Sequence, residues 1–472
     1  MTRDIFNLQF SICDLRLGED GKSKIKVQSA KLRIKIQKGL RTDTDLLTVG
    51  LDKVKGERLM RRCVVLLVIG LLTQSIRGGD NWPDFRGPAC NGRSDSVGLP
   101  IEWSETQNVK WKTPIHDLGW SSPVVWGDQI WLTTADKEGH QMYAVCVSFE
   151  TGRIIYDVKV FEEKEPQKIN RRNSYATPSP VVEPGRVYAH FGTFGTACLD
   201  TKTGKILWQR RDLNCEHMQG PASSPVLFGD LVILHLEGTD VQFIAALKKA
   251  TGETVWRIER PKEWYSTVEP IARKAYSTPI VIEVGGRPQL ISSGSQGCHA
   301  YDPCTGGEFW RIWYGDDSTI SRPIANKELV FVNTGLIHPK LWAVRPDGRG
   351  DVSDSGVVWK IEKNIPAESS PVIVDDLVYI VDDKGTATCI EAKTGKIIWQ
   401  EQLEGEYGAS PVYADGRVYF FNKEGKTTVI KQGRTFKIVA TNQLGDGFMA
   451  SPAIVGKSLI LRSKTYLYRI EK

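Results

Sequence analysis

Residues 369–400 read SSPVIVDDLVYIVDDKGTATCIEAKTGKIIWQ. Four short apolar runs, Val372–Val374, Leu377–Val381, Thr386–Glu391 and Lys396–Trp399, are separated by the turn signals Asp375-Asp376, Asp383-Lys384-Gly385 and Lys393-Thr394-Gly395. Runs of this length, punctuated in this way, predict a four-stranded antiparallel meander. One such sheet cannot bury both of its faces, so it has to stack on copies of itself.

The chain supplies the copies. Each opens on a proline, at Pro123, Pro180, Pro225, Pro279, Pro323, Pro371, Pro411 and Pro452, with a mean spacing of 47 residues. That period lies between those of the WD40 and kelch repeats and is too long for leucine-rich or ankyrin units. The third turn recurs at Gly152, Gly204, Gly252, Gly306 and Gly395, and four residues beyond each stands an aromatic: Tyr156, Trp208, Trp256, Trp310 and Trp399. Glycine supplies the positive φ of a tight hairpin, and the flat side chain that follows can cover a neighbouring sheet. The last copy, 451–472, has only three runs, and Asn108 to Thr113, with Trp111, supplies its outer strand. Pairing the two chain ends closes a ring and removes open sheet edges. The expected fold is all-β: an eight-bladed β-propeller of four-stranded antiparallel blades. Seven blades is the alternative, because the copies after Pro323 and Pro411 lack the Thr-Gly turn.

The repeated SSPVV…TGKIIW pattern resembles the pyrroloquinoline-quinone-like (PQQ-like) β-propeller repeat. The leader Trp82-Pro83-Asp84-Phe85-Arg86-Gly87-Pro88 is similar to that of a secreted branch of this family found in planctomycete-type bacteria. The resemblance spans roughly residues 80–472 and is specific for the fold. It implies no single activity, because the family includes quinoprotein dehydrogenases, the cofactor-free outer-membrane assembly factor BamB and sensor domains of bacterial Ser/Thr kinases.

The formal charge of +6 resides in the N-terminal part: residues 1–59 hold 13 Lys/Arg and 8 Asp/Glu, whereas the chain from Arg77 onward holds 47 and 48. A near-neutral body offers nucleic acid or an anionic membrane no electrostatic footing. Met60-Arg61-Arg62, the apolar run Cys63–Leu72 and Thr73-Gln74-Ser75 have the layout of a secretory signal over 60–76, too short to span a bilayer. Such a signal predicts export to the periplasm or beyond, translation from Met60, and a disordered upstream extension over 1–59; a cytoplasmic tail is the alternative. Cys63 stands at the start of the apolar run rather than just after it, which argues against BamB-type lipidation. Residues 80–106 form a lead-in and 107–472 the propeller. Of nine cysteines, Cys146, Cys198 and Cys389 occupy equivalent positions on different blades, too far apart for bridging; a pair among Cys90, Cys298 and Cys304 stays open.

Connections from the outer strand of one blade to the inner strand of the next gather on one face around the central channel. Their last residues define the candidate ligand- or partner-binding surface: Trp120, Asn173, Tyr175, Glu216, His217, Tyr276, Arg322, Glu368, Tyr407 and Met449. The competing reading is that these are loop residues satisfying backbone groups. A dehydrogenase, as the resemblance implies, would need PQQ with calcium held by Glu, Asn and Asp, an Asp base, a flat Trp under the quinone and adjacent cysteines over it. Asn173 and Glu216 could serve as calcium ligands, but the chain has no Cys-Cys pair and no Cys-x-x-Cys-His haem site. The seven histidines are dispersed without metal-site spacing, and no nucleophile elbow or phosphate loop occurs. The expected protein is a monomeric, exported, non-catalytic scaffold or sensor with no catalytic residues, metal or cofactor, binding an envelope protein or peptide. A PQQ-dependent alcohol or sugar dehydrogenase is the alternative, and carbohydrate binding through Trp120 and Tyr407 a further one.

Overall fold

The computed structural model describes residues 81–472 and, before them, only the backbone of three strands. The chain divides into two compact units, 1–75 and 76–472. In the first, Ile5–Leu17, Ser23–Gln37 and Leu46–Gly50 form an antiparallel sheet in chain order. The start at Met60 and the signal over 60–76 lie outside the described residues.

The second unit is an eight-bladed propeller. The quoted stretch folds as Val372–Val374, Leu377–Val381, Thr386–Glu391 and Ile397–Gln402, an antiparallel meander and the sixth blade. The copies after Pro323 and Pro411 are four-stranded too, which eliminates the seven-bladed alternative. In the fifth blade a long connection replaces the Thr-Gly turn, and its Gly350–Asp351 adds a short parallel strand to the fourth blade beside Trp310 and Arg311.

The ring closes where the sequence places the closure. Val109–Pro114 is the outer strand of the eighth blade, with Trp111 opposite Arg469 and Thr113 opposite Leu467. Outer-strand indoles then dock on the next blade, except that Trp310 Nε1 donates to Gln289 Oε1 at 2.9 Å within its own blade. Trp111 Nε1 donates to Phe149 O at 2.9 Å, Trp208 Nε1 to Lys249 O at 2.9 Å, Trp256 Nε1 to Pro303 O at 3.2 Å and Trp359 Nε1 to Ala392 O at 3.0 Å. Each ring lies against a turn glycine: a Cβ on Gly152 would meet Trp111 at 2.7 Å, and one on Gly252 would meet Trp208 at 2.7 Å. The glycine therefore serves two needs at once, a positive φ and room for the indole.

A belt of hydrogen bonds encircles the axis at the residue before each proline. Ser122 N donates to Ser179 Oγ at 2.8 Å, Ser179 N to Ser224 Oγ at 2.9 Å and Ser224 N to Thr278 Oγ1 at 2.9 Å. Beyond Arg322 the belt resumes, through Ser370, Ser410 and Ser451 at 2.9–3.0 Å, and returns to Ser122 Oγ at 3.0 Å. Between Thr278 and Arg322, where no hydroxyl is available, the Arg322 guanidinium donates to Pro279 O at 2.8 and 3.1 Å.

The lead-in crosses the end of the channel opposite the loop face. Trp82 exchanges backbone hydrogen bonds with Val125 at 2.8 and 2.9 Å, Pro83 O accepts from Val182 N at 2.9 Å, and Gly92 O accepts from Tyr413 N at 2.9 Å. Between these anchors Arg86 reaches Pro371 O at 2.7 Å and Pro411 O, and Arg322 reaches Asp84 Oδ1 at 2.8 Å and Phe85 O. Among the described residues all seven cysteines are free, and Cys146, Cys198 and Cys389 are buried as their positions predict. No helix among these residues is long and apolar enough to cross a membrane.

Candidate functional site

The lead-in turns the channel into a pocket. Phe85 forms its inner end, the belt hydroxyls its waist, and the interblade loops its mouth; its volume is about 260 Å³. Of the ten residues predicted for the binding face, Trp120, Asn173, Tyr276, Glu368 and Met449 line this pocket. Trp120 Nε1 donates to Arg172 O at 3.1 Å, which leaves the indole face at the rim. Asn173 is consumed by its own loops, since Nδ2 donates to Gln219 O at 2.8 Å and Pro221 O at 3.2 Å while Oδ1 accepts from Ser174 N and Thr177 Oγ1. Tyr276 OH donates to His217 O at 3.1 Å, and Glu368 faces Lys423 Nζ at 3.0 Å.

The other five stand elsewhere. Tyr175 is buried between the first two blades, its hydroxyl donating to Gln167 O at 2.9 Å. His217 is buried and accepts the Thr193 N–H on Nε2 at 2.9 Å; burial pulls its pKa down to about 4, so it is a neutral structural acceptor. Tyr407 is 0% exposed within the core between the sixth and seventh blades, and so has no face free for a sugar. Arg322 is buried beneath Phe85 in its pair with Asp84. Glu216 is exposed and lines a separate surface groove with Lys168, Met218 and Ile271. Tyr175 and His217 turn inward where their long loops fold back between blades, whereas Tyr407 lies on a short connection and Arg322 at the belt itself. A position just before an inner strand therefore does not determine which way its side chain turns.

Sequence reasoning missed the inner half of the pocket, Phe85 and the belt hydroxyls, and also Ile320 and Leu336 on the loops of the fifth blade. The signal was present in the Ser-Pro and Thr-Pro pairs that open seven of the eight copies, and in the single arginine that breaks the series at Arg322.

The lining does not fit PQQ held by calcium. Asn173 and Glu216, the two residues expected as calcium ligands, line different cavities, and Glu368, the carboxylate in the channel, is already engaged by Lys423. The aromatic at the inner end is Phe85 rather than Trp, no cysteine lines the pocket, and no cluster of three His, Cys, Asp or Glu among the described residues could hold a metal.

An eight-bladed ring closed by its first outer strand and docked through Thr-Gly and Trp pairs defines a propeller of the PQQ-like superfamily. The model of the family described as outer membrane protein assembly factor BamB matches residues 103–347 and 340–435, and the chain belongs to that family. It is also 30% identical over 156 residues to methanol dehydrogenase [cytochrome c] subunit 1 of Methylobacterium organophilum, a match covering 29% of this chain and 23% of that protein. The chain thus spans about a quarter of that relative's length. Among solved structures, BamB from Moraxella catarrhalis superposes with a TM-score of 0.54 at 12% identity, over 76% of this chain and 99% of that one. Quinohemoprotein alcohol dehydrogenase from Comamonas testosteroni superposes with a TM-score of 0.60 at 12% identity, over 85% and 82%. These likenesses carry the fold alone.

Proposed function

We propose that the protein is an exported, non-catalytic propeller that binds a protein or peptide in the cell envelope through its loop face. The observation that carries this reading is the channel pocket: a rigid ring presents a concave, partly apolar mouth whose donor set is unsuited to calcium and quinone. The signal-like segment at 60–76 and the outer-membrane family description support an envelope location. A monomer fits the closed ring, which leaves no blade waiting for another chain.

The second reading, a PQQ-dependent alcohol dehydrogenase, is favoured by the 30% identity to the methanol dehydrogenase subunit. One experiment separates the two. Purified protein is given PQQ and Ca²⁺, freed of unbound cofactor, and assayed for quinone absorbance and for dye reduction with a panel of alcohols. Retained absorbance with turnover would overturn the scaffold reading. The scaffold reading expects neither, and expects chemical crosslinking in intact cells to join one defined envelope protein to the loop face.

A further inference from the structure

The belt leaves seven hydroxyl protons without acceptors. Each of Ser122, Ser179, Ser224, Thr278, Ser370, Ser410 and Ser451 uses an oxygen lone pair to accept its neighbour's N–H. None of them donates to any group among the described residues, and all seven line the pocket. A ring of O–H groups lining a cavity that opens toward the loops is a ready site for an acceptor-rich group.

The charges near the belt that lack a carboxylate partner have the same sign. Arg86 lies just below the belt, 1% exposed, with its donors on the carbonyls of Pro371, Pro411 and Asn91 and no carboxylate partner; its Nε has no partner at all. Arg462, also buried, donates to Ser121 O at 3.0 Å and Thr133 O at 2.9 Å beside the belt, again without a carboxylate. Arg172 stands exposed at the mouth with its side chain unpaired among the described residues. Glu368, the one carboxylate of the lining, pairs with Lys423 at 3.0 Å, with Asp383 close to both. Buried cations without counter-ions hold the cavity positive, so an anion is the group it suits.

Shape narrows the ligand. Ile320 and Leu336 from the fifth blade and Met449 at the entry to the eighth supply apolar lining on separate parts of the wall, and Phe85 closes the inner end. At about 260 Å³ the cavity lies below the roughly 300–1,000 Å³ of sites for drug-sized molecules, and it opens only toward the loops. A continuous chain cannot thread it, whereas a chain terminus can enter.

We propose that the channel captures the C-terminal carboxylate of a peptide whose last side chain is apolar, the carboxylate meeting the hydroxyl belt and the side chain lying against Leu336, Met449 and Phe85. This deepens the peptide-binding reading above and rests on it. The test uses the exported form of the chain and fluorescein-labelled pentapeptides ending in Leu, Phe or Met, each made as the free acid and as the amide, with binding followed by anisotropy. The free acids are expected to bind at least about tenfold more tightly than the amides, the difference a charge-assisted contact supplies. Arg172→Gln, at an exposed position, should weaken the free acids about threefold or more while leaving the melting temperature unchanged, and Leu336→Asn should erase the preference for an apolar last residue.

Equal affinity for acid and amide, or no binding of either, would overturn the proposal. So would N-acetylphenylalanine binding as tightly as the pentapeptides, since a small acid would then be the ligand. A protein partner crosslinked to the loop face by a chain that ignores the free acids would refute the channel site and leave the scaffold reading standing. Free-acid selectivity combined with quinone turnover would refute the non-catalytic reading and leave the channel site standing.

Discussion

The Arg322 guanidinium donates to the Asp84 carboxylate at 2.8 Å across 238 residues of chain, with both side chains withdrawn from solvent. Arg322 occupies the position where seven other copies carry the belt hydroxyl. The break in the repeat and the attachment of the lead-in are therefore the same event: one blade gives up its hydroxyl for a side chain long enough to hold the lead-in across the channel.

Removing one partner of this pair leaves the other buried without its counter-ion. Asp84→Ala should destabilise the propeller by about 3–5 kcal/mol. Arg322→Ser should restore the missing belt hydroxyl yet still destabilise, because Asp84 then lies buried without a cation. Denaturant titration of both variants and of the double variant checks this. A double variant less damaged than either single one is the expected result.

Much of this architecture was legible beforehand because repetition averages out local ambiguity. A lone Gly-Lys-Ile-Ile-Trp run is weak; the same spacing through successive copies identified the meander, the docked indoles and the closing role of Trp111. The site was only partly legible. Topology placed all ten loop residues near one face, but the direction of a loop side chain depends on how its loop packs, and so Tyr175, His217 and Tyr407 turned into the core. Phe85 was hidden for a different reason: nothing within the leader announces that it ends inside a channel built from eight other segments.

The docked indoles permit a controlled comparison of glycines. Gly152 (φ +70°) lies under Trp111, whereas Gly416 (φ +73°) has nothing within 4 Å of its would-be Cβ. Both changes to alanine incur the backbone strain of a left-handed residue, about 1 kcal/mol. Gly152→Ala must also displace the indole, so its loss of stability should exceed that of Gly416→Ala by about 1–3 kcal/mol in urea titrations. Equal losses would show that the contact is easily relieved.

Trp111 should matter beyond its packing. Trp111→Ala and Trp208→Ala each remove a docked indole, at about 3 kcal/mol apiece. Trp111, however, sits on the strand that closes the ring, whereas Trp208 lies in a covalently continuous blade. Loosening the closing strand exposes the edge of Tyr466–Ile470. Light scattering on warming should therefore show earlier association for the Trp111 variant than for the Trp208 variant at matched stability.

Acid should weaken the ring through its buried imidazoles. Burial pulls His190 down to about 3 and His217 and His299 to about 4, against an unfolded value near 6.5. The folded chain thus holds these rings neutral while the unfolded chain protonates them first, so stability is fully present above pH of about 6.5 and is lost as pH falls toward 4. For each ring the loss at pH 4 is on the order of 3 kcal/mol. The geometry agrees for His217, because protonating Nε2 removes the acceptor for the Thr193 N–H. Urea midpoints taken from about pH 7 to about pH 4.5 should fall steadily, and His217→Gln should flatten the decline while lowering stability at neutral pH. An unchanged slope would mean that the other buried imidazoles, His190 and His299, govern the acid response.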